Sequence, residues 1–293
     1  MKHLETLIES LRDRNAGTIS KTALKQLGFF SCAHRLDIKH VPFYDPCLIL
    51  VLSGRKWLFE KQAPVVCESG EIMAVMGPAS YDLRNEPDAR SKRYRALIIP
   101  FKPEHLERLI RTHGLMHPVP STPVSVLKFA PNEALYSALS HYLTTQGDAK
   151  LLNHRLMEIL LVLATQNPHL LSYALQHGGW SARVRALVAS DLAQPWDVAS
   201  VCARLATTES TLRRNLKREG THFRGILQEL RLSTALMQLL QTTFPVHRIA
   251  YDCGYLSVSR FTSNFHKRFG LPPSQVRTAV NGNEHFLSAL GQA

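Results

Sequence analysis

Residues 249–270, IAYDCGYLSVSRFTSNFHKRFG, decide the fold of the C-terminal part of this 293-residue chain. They predict a short helix from Ile249, a turn, and a second helix that begins after the N-cap residue Ser257 and carries basic side chains. Phe261 and Phe265 are four residues apart, so they share the inward face of the second helix. Two short helices around a tight turn are typical of a helix-turn-helix unit.

The same pattern occurs a second time in residues 201–220, VCARLATTESTLRRNLKREG. Its apolar pair Leu212 and Leu216 aligns, 49 residues earlier, with the two phenylalanines, and Thr208 takes the place of the serine N-cap. The C-terminal part therefore contains an internal repeat of two helix-turn-helix units.

A long helix is expected to join the two units, from about His222 to Gln241. At 1.5 Å per residue, about 20 residues hold the units roughly 30 Å apart, which is close to one turn of DNA. If the second helices of the two units lie on the same side, they fit two successive major grooves. This spacing therefore favours DNA binding.

The charge of the chain agrees with a polyanionic partner. The net charge is +12, and residues 182–293 hold 14 Lys and Arg against 7 Asp and Glu. A basic surface of this kind suits nucleic acid or an anionic membrane surface. No apolar run is long enough for a transmembrane helix, and residues 1–14 lack the apolar core of a secretory signal, so we expect a cytoplasmic, nucleoid-associated protein.

Helical phase places a set of polar side chains on the outer faces of the two second helices. Arginine binds guanine O6 and N7 in bidentate fashion, while serine and threonine are more permissive base readers. The expected DNA-contacting residues are Ser210, Thr211, Arg213, Arg214 and Lys217 in the first unit, and Ser259, Arg260, Thr262 and Ser263 in the second.

Residues 196–277 resemble the DNA-binding domain of the AraC/XylS transcription regulators. The match consists of FxxILxxxRxxxA from residue 223, IAxxxGY from residue 249 and RFxxxFxKxFGxxPS from residue 260. The first unit matches less closely and is one residue shorter at Glu219-Gly220. The resemblance implies base contacts at Ser210, Arg213, Arg214, Val258, Ser259, Thr262 and Ser263.

Two positions depart from the family pattern. The family usually has an aromatic residue in place of Arg260, and often an arginine in place of Ser263. We therefore hypothesise that Arg260 binds phosphate, and that Arg213 and Arg214 carry more of the base specificity than the second unit does.

The N-terminal part is expected to be rich in β-strands. From about Cys32 to Phe129, short apolar runs such as CLILVLS, KWLFE and RALIIPF alternate with turn signals, which predicts a small sandwich or barrel. Two amphipathic helices are predicted next, at about 132–145 and 149–166. Their leucine stripe, Leu135, Leu139 and Leu143, has two interpretations: packing on the β-domain, or pairing with a second chain.

The expected fold class is α+β. A cupin-like β-barrel with two following helices, as the resemblance implies, precedes an all-α domain of two helix-turn-helix units joined by a long helix. The domains are a cupin-like sensor or dimerisation domain at 1–180 with its helical segment at 132–177, the double helix-turn-helix domain at 181–280, and a tail at 281–293. Residues 1–14 are expected to form a helix or a loose arm.

The sequence offers little that favours catalysis. The pairs His34/His40 and His113/His117 lack a third ligand for a metal, and Ser53-Gly54-Arg55-Lys56 fits S-x-x-K only as a turn between strands. The five cysteines are widely spaced and odd in number, so we expect small buried side chains in place of a disulfide framework. We expect no enzyme activity, no cofactor and no metal.

These features predict a bacterial transcription regulator, with activation as the family's commonest mode. The expected partners are promoter DNA, RNA polymerase, a small-molecule effector in the β-domain and a second copy of the chain. Two alternatives stay open: an architectural DNA-binding protein without a ligand, which would show little base preference, and a cupin enzyme fused to a DNA-binding module, which would hold stoichiometric metal.

Overall fold

The computed structural model describes residues 27–60, 63–115, 125–145, 148–171 and 179–280. The predicted arm at 1–14, the tail at 281–293, His117 and the end of the helical segment predicted to reach 177 lie outside the described residues. Contacts divide the chain into two compact units: an N-terminal unit that ends at Gln176, together with Thr278–Ala293, and a C-terminal unit, His177–Arg277.

Nine antiparallel strands of the N-terminal unit form two sheets among the described residues. Their bounds are β1 Gly28–Cys32, β2 Leu36–Phe43, β3 Cys47–Ser53, β4 Arg55–Phe59, β5 Pro64–Glu68, β6 Ile72–Val75, β7 Ala79–Glu86, β8 Tyr94–Pro100 and β9 Val126–Phe129. The first sheet has the order β1-β8-β3-β6-β9 and the second has the order β2-β7-β4-β5. The α+β class is confirmed, and the described strands form two hydrogen-bonded sheets, which agrees with the predicted sandwich or cupin-like barrel without showing a closed barrel.

Strand β3 lies at the centre of the first sheet, and every one of its residues is buried. Leu48, Leu50 and Leu52 belong to the apolar core that the sheet shares with the helices of this unit. Ile49 and Val51 alternate with them and are buried on the opposite face of the sheet. Because both faces are covered, the strand is a continuous apolar run without the polar alternation of a half-exposed strand.

The described part of this unit contains three α-helices: α1 Pro103–His113, α2 Glu133–Thr144 and α3 Ala149–Gln166. The last two are the predicted pair, but α1 lies inside the stretch that the sequence analysis assigned to strands, and that assignment is wrong there. Leu106 and Leu109 are buried at helical spacing, and Gly114 ends the helix in the left-handed conformation. The helix signals are present in the sequence, but the apolar strands on either side obscured them.

The leucine stripe of α2 packs inside its own unit. Leu135, Leu139 and Leu143 are 0% exposed and contact the first sheet's core together with α3. These three side chains therefore support the packing interpretation and are not available to a second chain.

Seven helices follow: α4 Trp180–Ala189, α5 Val198–Arg204, α6 Glu209–Arg218, α7 Phe223–Gln241, α8 Val246–Asp252, α9 Val258–Phe269 and α10 Pro273–Val280. Helix α7 is the joining helix and agrees with its predicted range of 222–241. Among the described residues, no helix has both the length and the apolar character needed to cross a membrane.

Candidate nucleic-acid interface

Helices α5 and α6 form the first helix-turn-helix unit. The turn passes through Ala206, whose φ is +50°, and the Thr207 N–H donates to the Cys202 carbonyl at 3.0 Å. Thr208 then caps α6, because its Oγ1 accepts a hydrogen bond from the Thr211 N–H at 3.3 Å. The cap fixes the direction in which α6 leaves the turn.

Helices α8 and α9 repeat this geometry. Gly254, with φ +78°, occupies the place of Ala206, and the Tyr255 N–H donates to the Ala250 carbonyl at 3.0 Å. Ser257 caps α9 by accepting from the Arg260 N–H at 3.4 Å. The two units therefore share their turn and cap as well as their sequence pattern.

The second turn has an additional residue, Leu256, between the left-handed glycine and the serine cap. Its side chain is 98% exposed. This insertion explains why the first helices of the two units align 48 residues apart and the second helices 49 residues apart.

Gly254 is required for a second reason besides its backbone angle. A Cβ atom at this position would lie 2.4 Å from the Leu192 carbonyl oxygen and 2.6 Å from an Arg231 guanidinium nitrogen. Arg231 projects from α7 and donates to the Leu192 carbonyl from Nε at 3.1 Å and from Nη2 at 3.0 Å. The second turn is thus held against the joining helix by a close contact that only glycine permits.

The inward faces of the two second helices are apolar, as the sequence predicted. Leu212 and Leu216 are buried in α6. In α9, Phe261, Phe265 and Phe269 are buried, and their rings pack at an angle to one another. The ring centroids of Phe261 and Phe265 are 5.5 Å apart, and those of Phe265 and Phe269 are 4.7 Å apart. Because these residues fix the rotation of each helix, the polar residues between them face outward.

In α6, four of the five predicted DNA-contacting residues are exposed: Ser210, Arg213, Arg214 and Lys217. Thr211 is half-buried, and its hydroxyl bonds to Thr208 at 3.0 Å as part of the cap. Arg213 forms an exposed ion pair with Glu209 at 3.1 Å, a contact of low stability that DNA phosphates can replace. Arg214 makes no ion pair with any described residue, so it presents a free guanidinium.

In α9, Ser259, Arg260 and Ser263 are exposed, while Val258 and Thr262 are half-buried. Arg260 is the only charged residue among these five. The other cationic residues, His266, Lys267 and Arg268, lie in the last turn of the helix. The first two turns of α9 therefore present small polar side chains, which agrees with a weaker contribution to base reading.

Two contacts made by charged side chains hold helices of the C-terminal unit in place. Arg268 forms a bidentate ion pair with Glu229 of α7, with Nε–Oε1 at 2.7 Å and Nη2–Oε2 at 2.9 Å. Glu219 accepts from the backbone N–H groups of Trp180 at 2.6 Å and Ser181 at 2.9 Å, at the start of α4. Burial alone would raise the pKa of Glu219, but these hydrogen bonds hold it below its usual value. Neither the Arg268–Glu229 ion pair nor the contacts of Glu219 could be predicted from the sequence, because each joins positions that are 39 or 38 residues apart.

The N-terminal unit contains a buried cation that the sequence analysis took for part of a turn. Lys56, in β4, is 6% exposed, and its Nζ donates to Asn85 Oδ1 at 2.9 Å. Burial lowers its pKa to about 8. The Tyr94 hydroxyl nearby is buried without a hydrogen-bond partner among the described residues. This interior combines a cationic nitrogen with an unsatisfied hydroxyl.

All five cysteines are buried and free, as expected. Burial raises the pKa of Cys32, Cys47, Cys67 and Cys253 to about 12, so these thiols are poor nucleophiles. Within the ranges that the structure describes, no group of three His, Cys, Asp or Glu side chains is arranged to hold a metal.

Comparison with known families matches both parts of the chain. Residues 201–279 match the family described as a helix-turn-helix domain. Residues 46–173 match the family described as the ExsA N-terminal regulatory domain. The second match covers strands and helices of the N-terminal unit.

The curated relatives are named as transcription regulators. The HTH-type transcriptional regulator YdeO of Escherichia coli O157:H7 is 31% identical over 151 residues, which are 52% of this chain and 51% of that protein. The dual transcriptional regulator Rns of Escherichia coli is 33% identical over 103 residues, which are 35% of this chain and 39% of Rns. The chain thus spans about half, or less, of the length of these relatives.

Among solved structures, ToxT from Vibrio cholerae has a similar fold. It aligns with a TM-score of 0.64 over 88% of this chain and 99% of ToxT, at 18% sequence identity. This likeness supports the arrangement of a β-rich unit followed by helix-turn-helix units.

The repeated turns, the capped second helices and their outward polar faces define a DNA-binding protein of the double helix-turn-helix class. The two matched domains and the named relatives support the AraC/XylS family of transcription regulators, which the sequence resembles.

Proposed function

We propose that this protein is a sequence-specific transcription activator that acts in the cytoplasm, where it binds promoter DNA through α6 and α9 and contacts RNA polymerase there. The observation that carries the proposal is the repeated unit: two capped helices with polar outer faces, one held to α7 through Arg231 and the Arg268–Glu229 ion pair and the other held to the start of α4 through Glu219. The names of two relatives add support for activation, the urease operon transcriptional activator and the activator CfaD, both from Escherichia coli.

In this proposal the two second helices have different tasks. Arg213 and Arg214 read bases in one major groove, and Ser210, Thr211 and Lys217 assist them through bases or phosphates. In the next groove Val258, Ser259, Thr262 and Ser263 make small polar and apolar contacts, while Arg260 binds phosphate. The exposed positions of both arginines in α6 support this division.

The N-terminal unit is proposed to control DNA binding by binding a small molecule, by dimerisation, or by both. ToxT has been solved with an unsaturated fatty acid and with (E)-4-(8-methylnaphthalen-1-yl)but-3-enoic acid bound, which are both carboxylic acids with an apolar body. Lys56 would bind the carboxylate of such an effector here, because its ammonium group lies among apolar side chains. An effector changes transcription only if it binds one conformation more tightly than the other.

The DNA-binding part of the proposal is tested by mapping bound sites across a bacterial genome and titrating the best site against random DNA. A regulator is expected to favour its site by roughly 10³-fold or more. Nearly equal affinity for the two DNAs would instead favour the architectural alternative, and stoichiometric metal in the purified protein would favour the enzyme alternative.

The control of DNA binding is tested separately by adding oleate during the titration. We expect the operator affinity of the wild-type chain to change and that of Lys56→Met to stay constant. An equal response of both chains would remove Lys56 from the effector site without affecting the DNA-binding proposal.

A further inference from the structure

Helices α1 and α3 border a cavity of about 430 Å³ in the N-terminal unit. From α1, Arg108, Thr112 and His113 line it. Arg108 and Thr112 are four positions apart and share one face of the helix, and His113 is its last residue. The face points away from Leu106 and Leu109, which are buried in the apolar core.

Helix α3 supplies the opposite wall. Lys150, Asn153, His154 and Met157 line the cavity from this side. Their spacing of three, four and seven residues also places them on one helical face. The two faces together form a cleft whose inner surface is mostly apolar, although six of its seven lining residues have polar side chains.

The cleft has an unbalanced charge. Four of its seven lining residues are basic and none is acidic: Arg108, His113, Lys150 and His154. Within the described ranges none of the four forms an ion pair, whereas other surface cations of this unit, such as Arg84, do. Basic side chains placed together without acids repel one another, and a bound anion relieves that repulsion.

Nearby acids are already engaged elsewhere. The Asp148 carboxylate caps α3 by accepting from the Lys150 backbone N–H at 2.8 Å. Glu158 binds Arg155 at 3.1 Å and His141 at 3.3 Å. Glu104 lies one turn before Arg108 on α1 but does not line the cleft, so the residues that line it include no carboxylate.

A hydrogen-bond chain fixes the two walls relative to each other. The Lys102 backbone N–H donates to His105 Nδ1 at 2.8 Å, so the ring carries its proton on Nε2. This Nε2 then donates to Asn153 Oδ1, also at 2.8 Å. The amide group of Asn153 is thereby oriented, and its N–H groups remain as donors at the edge of the cleft.

We propose that this cleft binds a small organic anion with at least two negative charges, either a phosphate ester or a polycarboxylate. The guanidinium of Arg108 and the ammonium group of Lys150 match two negative charges, and guanidinium, imidazole and amide donors suit phosphate and carboxylate oxygens. The volume falls within the usual range of small-molecule sites, about 300–1,000 Å³. The aliphatic stems and Met157 provide contact for the carbon part of the ligand.

Binding of the anion does not depend on the proposed regulatory function, but any effect on transcription rests on it. A ligand that bridges α1 and α3 stabilises their present arrangement, since it binds that arrangement only. The cleft is then a second effector site of the N-terminal unit, separate from the site proposed at Lys56.

The test is calorimetric titration of the full chain, without DNA, with pyrophosphate and with citrate at constant ionic strength. We expect at least one of the two anions to bind saturably. The anion with the higher affinity shows whether the cleft prefers a phosphate ester or a polycarboxylate. The double variant Arg108→Gln/Lys150→Gln should weaken this binding by about tenfold or more, because it removes two charge-assisted contacts. Arg111→Gln, an exposed position of α1 outside the cleft, should leave it unchanged.

Thermal unfolding of each variant checks that the fold is retained, since all three positions are exposed. Absence of saturable binding to the wild-type chain, or equal binding by the double variant, would overturn the proposal. A loss of affinity for random DNA in the double variant, with no anion binding by either chain, would assign the cleft to the DNA backbone and also overturn it. Operator binding measured in parallel shows whether the DNA-binding proposal holds independently.

Discussion

Arginine residues of the C-terminal unit have two different roles, and their contacts separate them. Arg231 and Arg268 bind a backbone carbonyl and a carboxylate that belong to other parts of the unit, so they hold helices together. Arg213 and Arg214 project from the exposed face of α6, where one has a weak partner and the other has none among the described residues. Basic composition alone does not distinguish these roles, whereas the pattern of contacts does.

The first prediction concerns base reading by α6. Arg213→Ala and Arg214→Ala should each lower affinity for the preferred DNA site by about 1–3 kcal/mol, because each loses a bidentate contact with a base. The base preference at the contacted position should also relax. Both effects are measured by binding titration against the preferred site and its single-base variants.

Lys267→Ala is the matched control for these variants. Lys267 is exposed in the last turn of α9, beyond the predicted base-contacting positions. The loss of its positive charge should weaken binding to all DNA sequences alike, because Lys267 interacts with phosphates and not with bases. Unchanged affinity and base preference in both arginine variants would show that α6 does not read bases.

The second prediction concerns the buried Lys56. Because burial lowers its pKa to about 8 from the ordinary 10.5, the folded chain loses this proton at a lower pH than the unfolded chain does. The wild-type free energy of unfolding should therefore rise relative to that of Lys56→Met between pH 8 and 10.5, by up to about 3 kcal/mol. Denaturant unfolding at pH 7 and pH 10, with a thiol reductant present, measures the difference.

The cysteines titrate in both chains, so their contribution cancels in this comparison. If the difference in free energy of unfolding between the wild-type chain and Lys56→Met stays constant with pH, the pKa of Lys56 is the same in the folded and the unfolded chain. The sequence did not reveal this residue, because its burial results from the pairing of β4 with β5 and β7, which no local pattern encodes.

At the scale of single elements, the two helix-turn-helix units could be predicted because each depends on local signals. A cap, a turn and an apolar pair four residues apart are all read from neighbouring residues. The start and end of α7 were also predicted within a residue or so. Helix α1 was missed because apolar strands flank its eleven residues, and the order of the strands in the two sheets could not be predicted because it depends on strand pairing over long distances.

The third prediction concerns the turn of the second unit. Gly254→Ala should destabilise the C-terminal unit by roughly 2–4 kcal/mol, because alanine is strained in the left-handed conformation and its Cβ would overlap the Leu192 carbonyl. Gly220→Ala is the control: its φ is also positive, at +69°, but no atom lies within 4 Å of the added Cβ.

Gly220→Ala should cost only about 1–2 kcal/mol, from backbone strain alone. Denaturant unfolding followed by circular dichroism compares the two variants. Equal losses would indicate that the close contact between the second turn and Arg231 of α7 is absent in solution.

At the scale of the whole molecule, a unit whose described residues form two sheets and three helices accompanies a unit that presents one motif twice. Helix α7 has 19 residues, so it spans about 28 Å between the two motifs. A rod of this length fits two major-groove contacts one helical turn apart on the same side of a duplex. The strength of binding then depends on both contacts being made together, since the first places the second at high effective concentration.

The central claim, that α6 and α9 read successive grooves from one rigid support, is tested by changing the distance between their half-sites. Once the preferred site is known, 5 base pairs are inserted between its halves, which turns one half to the opposite side of the duplex, and 10 base pairs are inserted as a comparison. We predict that both insertions reduce affinity to that of a single half-site, because α7 neither twists nor extends to follow either change. Binding of either DNA as tight as that of the original site would contradict the account.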